Sequence, residues 1–224
     1  NTPPEMLAAQ IDAVFEDIPP VAVKIGMVSS AELITVIADR LTAHNAKNVV
    51  LDPVMVATSG AKLIEDDAIA ALTSKLFPLA TVITPNMPET QVLCDLAVEQ
   101  GAGAIDYENG ESISTENDMV TAGHLLAGHF GCAVLVKGGH GVADASDLLY
   151  ADGVATWIHG VRVDNPNTHG TGCTLSSAIA SNLAKGEALP DAIRHAKDYL
   201  TGVLGAQLNL GHGSGPMDHA WHWH

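Results

Sequence analysis

Apolar positions along the chain switch repeatedly between two periods. Leu7, Ile11, Val14 and Ile18 recur at helical spacing, and Thr2-Pro3-Pro4-Glu5 ahead of them has capping-box spacing with proline at the first helical position, so a helix opens the chain. The run Val21-Ala22-Val23-Lys24-Ile25-Gly26 is β-branched, apolar and too short for a helix, which predicts a buried strand. The same alternation continues with a helix over about 30–44, a strand over 48–52, a helix near 65–75 and a strand over 80–84. A helix then starts near Asn86, another covers about 114–130, and 132–137 reads as a further buried strand. Strand and helix taking turns means crossover connections, hence a parallel sheet with helices on both faces.

Residues 147–163 break this pattern with short alternating segments around Ala151-Asp152-Gly153, which predicts an antiparallel hairpin at one edge of the sheet. Two helices, about 172–184 and 190–208, finish the fold. The stretch 211–224 is rich in Gly, His and Trp; it is assigned no regular structure and is read as a flexible tail on a single domain spanning 1–210. A sheet of this kind that opens on a helix is expected to lack one or more strands upstream.

With 224 residues and 47% hydrophobic side chains the chain can bury the core of one α/β domain. Ten Lys and Arg against 26 Asp and Glu leave a formal charge of −16, so nucleic acid and anionic membranes meet long-range repulsion and neither is an expected partner. An anionic substrate must be attracted locally, by the few basic residues and by helix N-termini. Cys94, Cys132 and Cys173 are odd in number and widely spaced, which fits neither a disulfide framework nor a zinc site and points to a reducing cytoplasm. No apolar stretch approaches the roughly 20 residues that span a bilayer.

In an open parallel sheet, ligands bind beyond the carboxyl ends of the strands. Four such positions are chemically loaded: Lys24-Ile25-Gly26-Met27, Asp52-Pro53-Val54-Met55, Thr84-Pro85-Asn86-Met87-Pro88-Glu89 and Lys137-Gly138-Gly139-His140-Gly141. A fifth, Asn165-Pro166-Asn167-Thr168-His169-Gly170-Thr171-Gly172-Cys173-Thr174, runs straight into an apolar helix. Small residues just before a helix expose consecutive backbone N–H groups at the positive end of its dipole, and that is an anion hole.

The string from Asn167 through Cys173 to Ala180 resembles the signature of hydroxymethylpyrimidine and phosphomethylpyrimidine kinases, and the other four segments match that family in order and spacing. The resemblance spans about 2–208. It implies a ribokinase-like three-layer α/β/α fold with a mostly parallel central sheet, and an ATP- and Mg²⁺-dependent phosphotransferase acting on the aminopyrimidine alcohol of thiamine synthesis and then on its monophosphate. The superfamily usually places an aspartate base after its Gly-Ala-Gly turn; here Gly170-Thr171-Gly172 is followed by Cys173. The resemblance therefore puts Cys173 where the substrate hydroxyl is activated, and a thiol at a helix N-terminus suits that role.

Gly170, Thr171 and Gly172 would form the anion hole, with Lys137, Asn86, Gly139 and Thr168 at the ATP. Glu89 would hold magnesium with Asp52, since a hard cation takes oxygen ligands and keeps several waters. Met27 and Val54 would give the pyrimidine an apolar face. Several of these residues have plainer readings: helix capping for Asn86 and Glu89, turn capping for Asp52, a surface strand end for Lys137 and core packing for Met27 and Val54. His140 and His169 flank the glycine-rich turns and are read as positioning residues. His212, His219, His222 and His224 are assigned no metal.

The family carries a strand and a Gly-Ser-Asp-Ser-Ser-Gly-Gly-Ala-Gly loop before the first helix, and no such segment stands here. Two other readings stay open: a pyridoxal kinase, whose substrate also offers a hydroxymethyl group on a flat heteroaromatic ring, and a nucleotide-binding remnant without turnover. The resemblance also makes a homodimer plausible.

Overall fold

The computed structural model describes residues 2–55, 64–110, 112–139, 145–208, 210–212 and 215–223. Six strands form one sheet in the order β1(Val23–Ile25), β2(Val49–Leu51), β3(Val82–Ile83), β4(Ala133–Lys137), β5(Asp147–Ala151) and β6(Val154–Ile158). The first four pair in parallel, and β5 and β6 are antiparallel, as the short alternating segments predict. The turn between them uses Asp152 and Gly153, both at positive φ, where Gly and Asp are tolerated.

Each interior strand alternates its side chains between two apolar layers, so the sheet is buried on both sides. Val49, Leu51, Ile83, Val134 and Val136 face a layer built from α2(Ala31–Ala43), α3(Asp66–Ala71), α4(Met87–Glu99) and α5(Glu116–Phe130). Val50, Val82, Leu135 and Leu149 face the other layer, where Leu175, Ile179 and Leu183 of α6(Thr171–Ala184) and Ile193 of α7(Leu189–Gly205) close the core. Helix α1(Pro4–Asp17) has no fully buried residue and packs on α2. This is the expected three-layer α/β/α arrangement, and β1 is one edge of the described sheet. No helix among the described residues is long and apolar enough to cross a membrane.

Four local expectations change. The run 21–26, expected as a buried strand, forms only the three-residue β1 at the edge of the described sheet, where Ile25 is its one buried residue and Val21 is 62% exposed. The capping box at Thr2 is not made: α1 starts at Pro4, and the N–H groups of Met6 and Leu7 donate to the Pro3 carbonyl instead. The helix expected over 65–75 is regular only to Ala71, widens into a π turn over Leu72–Leu76 and tightens into a 3₁₀ turn over Phe77–Leu79. Hydroxyls cause part of this, since Thr73 Oγ1 donates to the Ile69 carbonyl and Ser74 Oγ to that of Ala70, competing with the backbone ladder. The stretch after Gly211 is not wholly irregular: Trp221–Trp223 is a 3₁₀ turn whose first indole packs on Gly202 of α7.

Candidate active site

The carboxyl ends of β2, β3 and β4 bring together residues 85 positions apart. Asp52, one residue past β2 and 3% exposed, accepts at Oδ1 from Lys137 Nζ at 2.9 Å and from Thr84 Oγ1 at 3.1 Å. Val50 and Leu135, two residues back on their strands, face the α6/α7 layer, so the alternation of the strands aims Asp52 and Lys137 at the same layer. The plain reading of Lys137 as a surface strand end does not hold: its side chain is 15% exposed and paired with the buried Asp52 carboxylate.

Glu89 is 2% exposed and completes a reciprocal capping box at the start of α4. Its Oε2 accepts from the Asn86 N–H at 2.8 Å, and Asn86 Oδ1 accepts from the Glu89 N–H at 2.9 Å. Its Oε1 reaches back to the Met55 N–H at 3.4 Å, tying α4 to the loop after β2. Burial pushes the Glu89 carboxyl above its ordinary range; Lys137 pulls it down, and the Asp52 charge adds to the upward push. The cap reading of Asn86 and Glu89 is therefore realised, and the same carboxyl is electrostatically coupled to both Lys137 and Asp52.

Helix α6 begins differently. Its N-cap is Gly170, at φ 85°, a conformation that glycine adopts without strain, and no side chain caps the helix. The Thr171 N–H donates to the Thr168 carbonyl and the Thr174 N–H to that of Gly170. Among the described residues nothing receives the N–H groups of Gly172 and Cys173. A Cβ built on Gly172 would lie 3.4 Å from Lys137 Nζ and 3.6 Å from Asp52 Oδ2, so this open helix end stands directly against the ion pair. Cys173, the third residue of α6, is exposed, whereas Cys94 and Cys132 are buried and inert, with thiols pushed up to about 12 by desolvation. All three cysteines are free.

The turn leading into α6 is held from behind. Asn165 donates to the Leu204 carbonyl and accepts from the Asn167 N–H, and Gln207 donates to the Asp164 carbonyl. Asn167 Oδ1 accepts from the Gly215 N–H, and the Met217 methyl lies 3.3 Å from the Cβ position of Gly170. Tyr199 Oη donates to the His219 carbonyl, and these two residues, with Cys173, Thr174, Ser177, Ala178 and Ser181, line a cavity of about 380 Å³. The segment after Gly211 therefore helps to build the surroundings of Cys173.

The structure leaves other expected residues further out. Met27 is 57% exposed just past β1 and Val54 is partly buried; neither lines the cavity at Cys173. Thr168 and His169 are exposed, and Gly139 is exposed with open space at its Cβ position. His140 lies outside the described residues. No group of three or more His, Cys, Asp or Glu suited to a metal occurs among the described residues. Two coupled carboxylates, Asp52 and Glu89, do fit a Mg²⁺ that draws its remaining ligands from phosphate and water.

Sequence reasoning missed Thr84 as a partner of Asp52, and Lys197, whose ammonium pairs with Asp147. Lys197 did carry a signal: it follows Ala192, Ile193 and Ala196 on the buried stripe of α7, where a lysine is unexpected.

Residues 1–218 match the family model described as phosphomethylpyrimidine kinase. The chain is 44% identical over 222 residues to the hydroxymethylpyrimidine/phosphomethylpyrimidine kinase of Rhizobium meliloti, covering 98% of this chain and 78% of that protein. It is 41% identical over 219 residues to the protein of that name from Streptomyces coelicolor, covering 98% and 76%. A thiamine biosynthesis bifunctional protein of Geobacter sulfurreducens is 43% identical over 220 residues, and the chain spans only 42% of it. Among solved structures, the phosphomethylpyrimidine kinase of Clostridium difficile aligns with a TM-score of 0.72 at 39% identity, over 90% of this chain and 76% of that one. The Bacillus subtilis pyridoxal kinase in its ADP complex aligns with 0.82 at 30% identity, over 100% and 78%. The backbone match is higher for the second and the sequence match for the first. Identity carries more weight for substrate choice, because pocket side chains set it and the backbone is common to both.

Proposed function

The chain belongs to the phosphomethylpyrimidine kinase family, and we propose that it transfers the γ-phosphoryl group of ATP to the hydroxymethyl group of 4-amino-5-hydroxymethyl-2-methylpyrimidine, and then to the phosphate of the resulting monophosphate, in thiamine biosynthesis. The observation that carries this reading is the uncapped N-terminus of α6 set against the Lys137–Asp52 pair, with the exposed Cys173 at its third position. Phosphoryl transfer asks little covalent work of a protein; it needs charge neutralisation on the transferring group and an in-line nucleophile.

In this reading the N–H groups of Gly172 and Cys173 receive the equatorial oxygens of the transferring phosphoryl, assisted by the positive end of the α6 dipole. Lys137, held in place by Asp52, presents its ammonium to the ATP phosphates. Cys173 Sγ takes the proton from the substrate hydroxyl as the oxygen attacks phosphorus, and the bond to the β,γ-bridging oxygen of ATP breaks. Glu89 and Asp52 are the residues that would hold a Mg²⁺, which when bound would neutralise charge on the ATP phosphates. The free state of all three cysteines supports placing the protein in the reducing cytoplasm.

The test is an ATP-consumption assay with the pyrimidine alcohol, its monophosphate and pyridoxal, on the wild type and on Cys173→Ala. We expect turnover of both pyrimidines in preference to pyridoxal. Cys173→Ala should lower kcat by about 10²–10⁴-fold, the range of a general base, while leaving the KM for ATP nearly unchanged. Preference for pyridoxal would reassign the substrate; an unchanged kcat in Cys173→Ala would remove the thiol from the chemistry; ATP binding without turnover of any of the three would make the chain a nucleotide-binding remnant.

A further inference from the structure

Two of the ten Lys and Arg of this acidic chain, Lys137 and Lys197, lie at the carboxyl end of β4, and each has a buried carboxylate. The pairing is not the obvious one. In the β4–β5 ladder Lys137 stands directly opposite Asp147, so the two side chains project from the same face, and directly opposed residues have Cβ atoms roughly 5 Å apart. A cross-strand pair between them would be the shortest solution. Instead Lys137 reaches across β3 to Asp52 at 2.9 Å, and Asp147 is taken by Lys197, which enters from α7.

Asp147 has a second duty. Its Oδ1 accepts from the Gly138 N–H at 3.0 Å, so the carboxylate fixes the chain as it leaves β4. Both members of the pair are buried, Asp147 at 3% and Lys197 at 8% exposure. The backbone is cleared to admit Lys197: a Cβ on Gly160 would collide with its Cε. Burial pushes the Asp147 carboxyl up against the pull of Lys197, as expected for a charge taken out of water. A buried ion pair is seldom kept for stability, since apolar side chains of similar volume do as well or better. Its presence here calls for another reason.

We propose that Lys197 is a positioning residue for the phosphoryl-transfer site: by neutralising Asp147 it leaves Lys137 on Asp52, beneath the open end of α6, and keeps the Gly138 N–H fixed. Without Lys197, Asp147 is a buried, unpaired carboxylate directly across the ladder from Lys137, and it draws that ammonium away from Asp52 and Gly172. The inference rests on the reading of Lys137 as the phosphate-contacting lysine. It assigns Lys197 no contact with substrate.

The experiment compares kcat and KM for ATP in wild type, Lys197→Met, the double variant Lys197→Met/Asp147→Asn and Lys137→Met, with a thermal melt of each. Lys197→Met should lose about 100-fold in kcat/KM for ATP at temperatures well below its Tm. The double variant should recover to within about tenfold of wild type, because the amide oxygen introduced by Asp147→Asn still accepts from the Gly138 N–H and no carboxylate competes for Lys137. A pair with a purely structural role predicts that activity simply follows Tm across these variants, which would overturn the proposal. A double variant no better than Lys197→Met, or a fully active Lys197→Met beside an impaired Lys137→Met, would also overturn it while leaving the site reading intact. A fully active Lys137→Met would remove the site reading and this inference together. Should Lys197→Met fail to fold, the double variant alone decides, since activity about 100-fold below wild type in a folded, charge-free pair contradicts the proposal.

Discussion

Two helices start at this site, and they start in opposite ways. Helix α4 is closed: Asn86 and Glu89 satisfy each other's N–H groups, and the Glu89 carboxylate also reaches the Met55 N–H. Helix α6 is open: a glycine in the left-handed region turns the chain, no side chain caps it, and the N–H groups of Gly172 and Cys173 have no acceptor among the described residues. An uncapped N-terminus forgoes about 1 kcal/mol of stabilisation. The contrast separates two uses of the same dipole: one end is tied off to build the frame, and the other is left for an anion to complete.

Substitutions at the two ends sharpen that contrast. Of the backbone and capping substitutions, Gly172→Ala should have the largest effect on activity. Its methyl meets Lys137 Nζ and Asp52 Oδ2 at close to van der Waals distance and takes the space above them, so kcat falls about 100-fold, comparable to losing one oxyanion donor. Its Tm should not fall, because alanine is a better helix former than glycine by about 1 kcal/mol. Normal kcat in a folded Gly172→Ala would show that the open end is not where the phosphoryl group passes.

Glu89→Gln should separate frame from function at the closed end. Burial raises the folded-state pKa of this carboxyl above its unfolded value, so the ionised form costs stability, and that cost grows as pH rises above the unfolded pKa and is complete above the folded one. Glutamine removes it: its amide oxygen still accepts from the Asn86 N–H, and its NH2 gives up only the long, 3.4 Å bond from the Met55 N–H. Above the ordinary carboxylate range the Tm of Glu89→Gln should therefore equal or exceed that of wild type, while activity falls about 10–100-fold, as when a metal's supporting ligands are lost. A Tm advantage that appears only at low pH would reverse the assigned sign.

The smallest effects should come from the caps themselves. Asn86→Ala and Thr115→Ala each remove the side chain of a capping box, the second at the start of α5, where the Asp118 carboxyl is held down to about 2: burial opposes this, but the backbone N–H groups of Glu108, Ser114 and Thr115 outweigh it. Each should cost about 1 kcal/mol, or roughly 2–4 °C in Tm for a chain of this size. Only Asn86→Ala should also change kcat. Equal kinetic loss in both would mean that the effect of Asn86 is general destabilisation.

Much of the frame was legible in the sequence. Strands such as Ala133–Lys137 are continuous apolar runs because both faces are covered, and the helices between them keep a helical period, so the succession of elements and the parallel direction followed from the pattern, but the order of strands in the sheet did not. That Lys137, Asp52 and Glu89 gather was legible because strand ends and helix starts are where an open sheet keeps its chemistry, whereas the role given to Cys173 rests on the resemblance. What stayed hidden depends on contacts that no period records. The Asp147–Lys197 pair spans 50 positions, and which carboxylate Lys137 chooses is decided by a third charge. The stretch after Gly211 looked featureless because two of its attachments run through a glycine N–H and a carbonyl, Gly215 on Asn167 and His219 under Tyr199, and the seat of Trp221 on Gly202 follows no period.

The bare Cα of Gly202 gives that last segment an optical handle. A Cβ there would overlap the Trp221 ring, so the indole is seated on α7 where only glycine leaves room. Of the other two tryptophans, Trp157 packs against the opposite layer and Trp223 is 79% exposed. Emission from Trp221 thus reports on the segment whose neighbouring residue, His219, walls the cavity at Cys173, and the molecule carries its own fluorophore for watching that wall without a label.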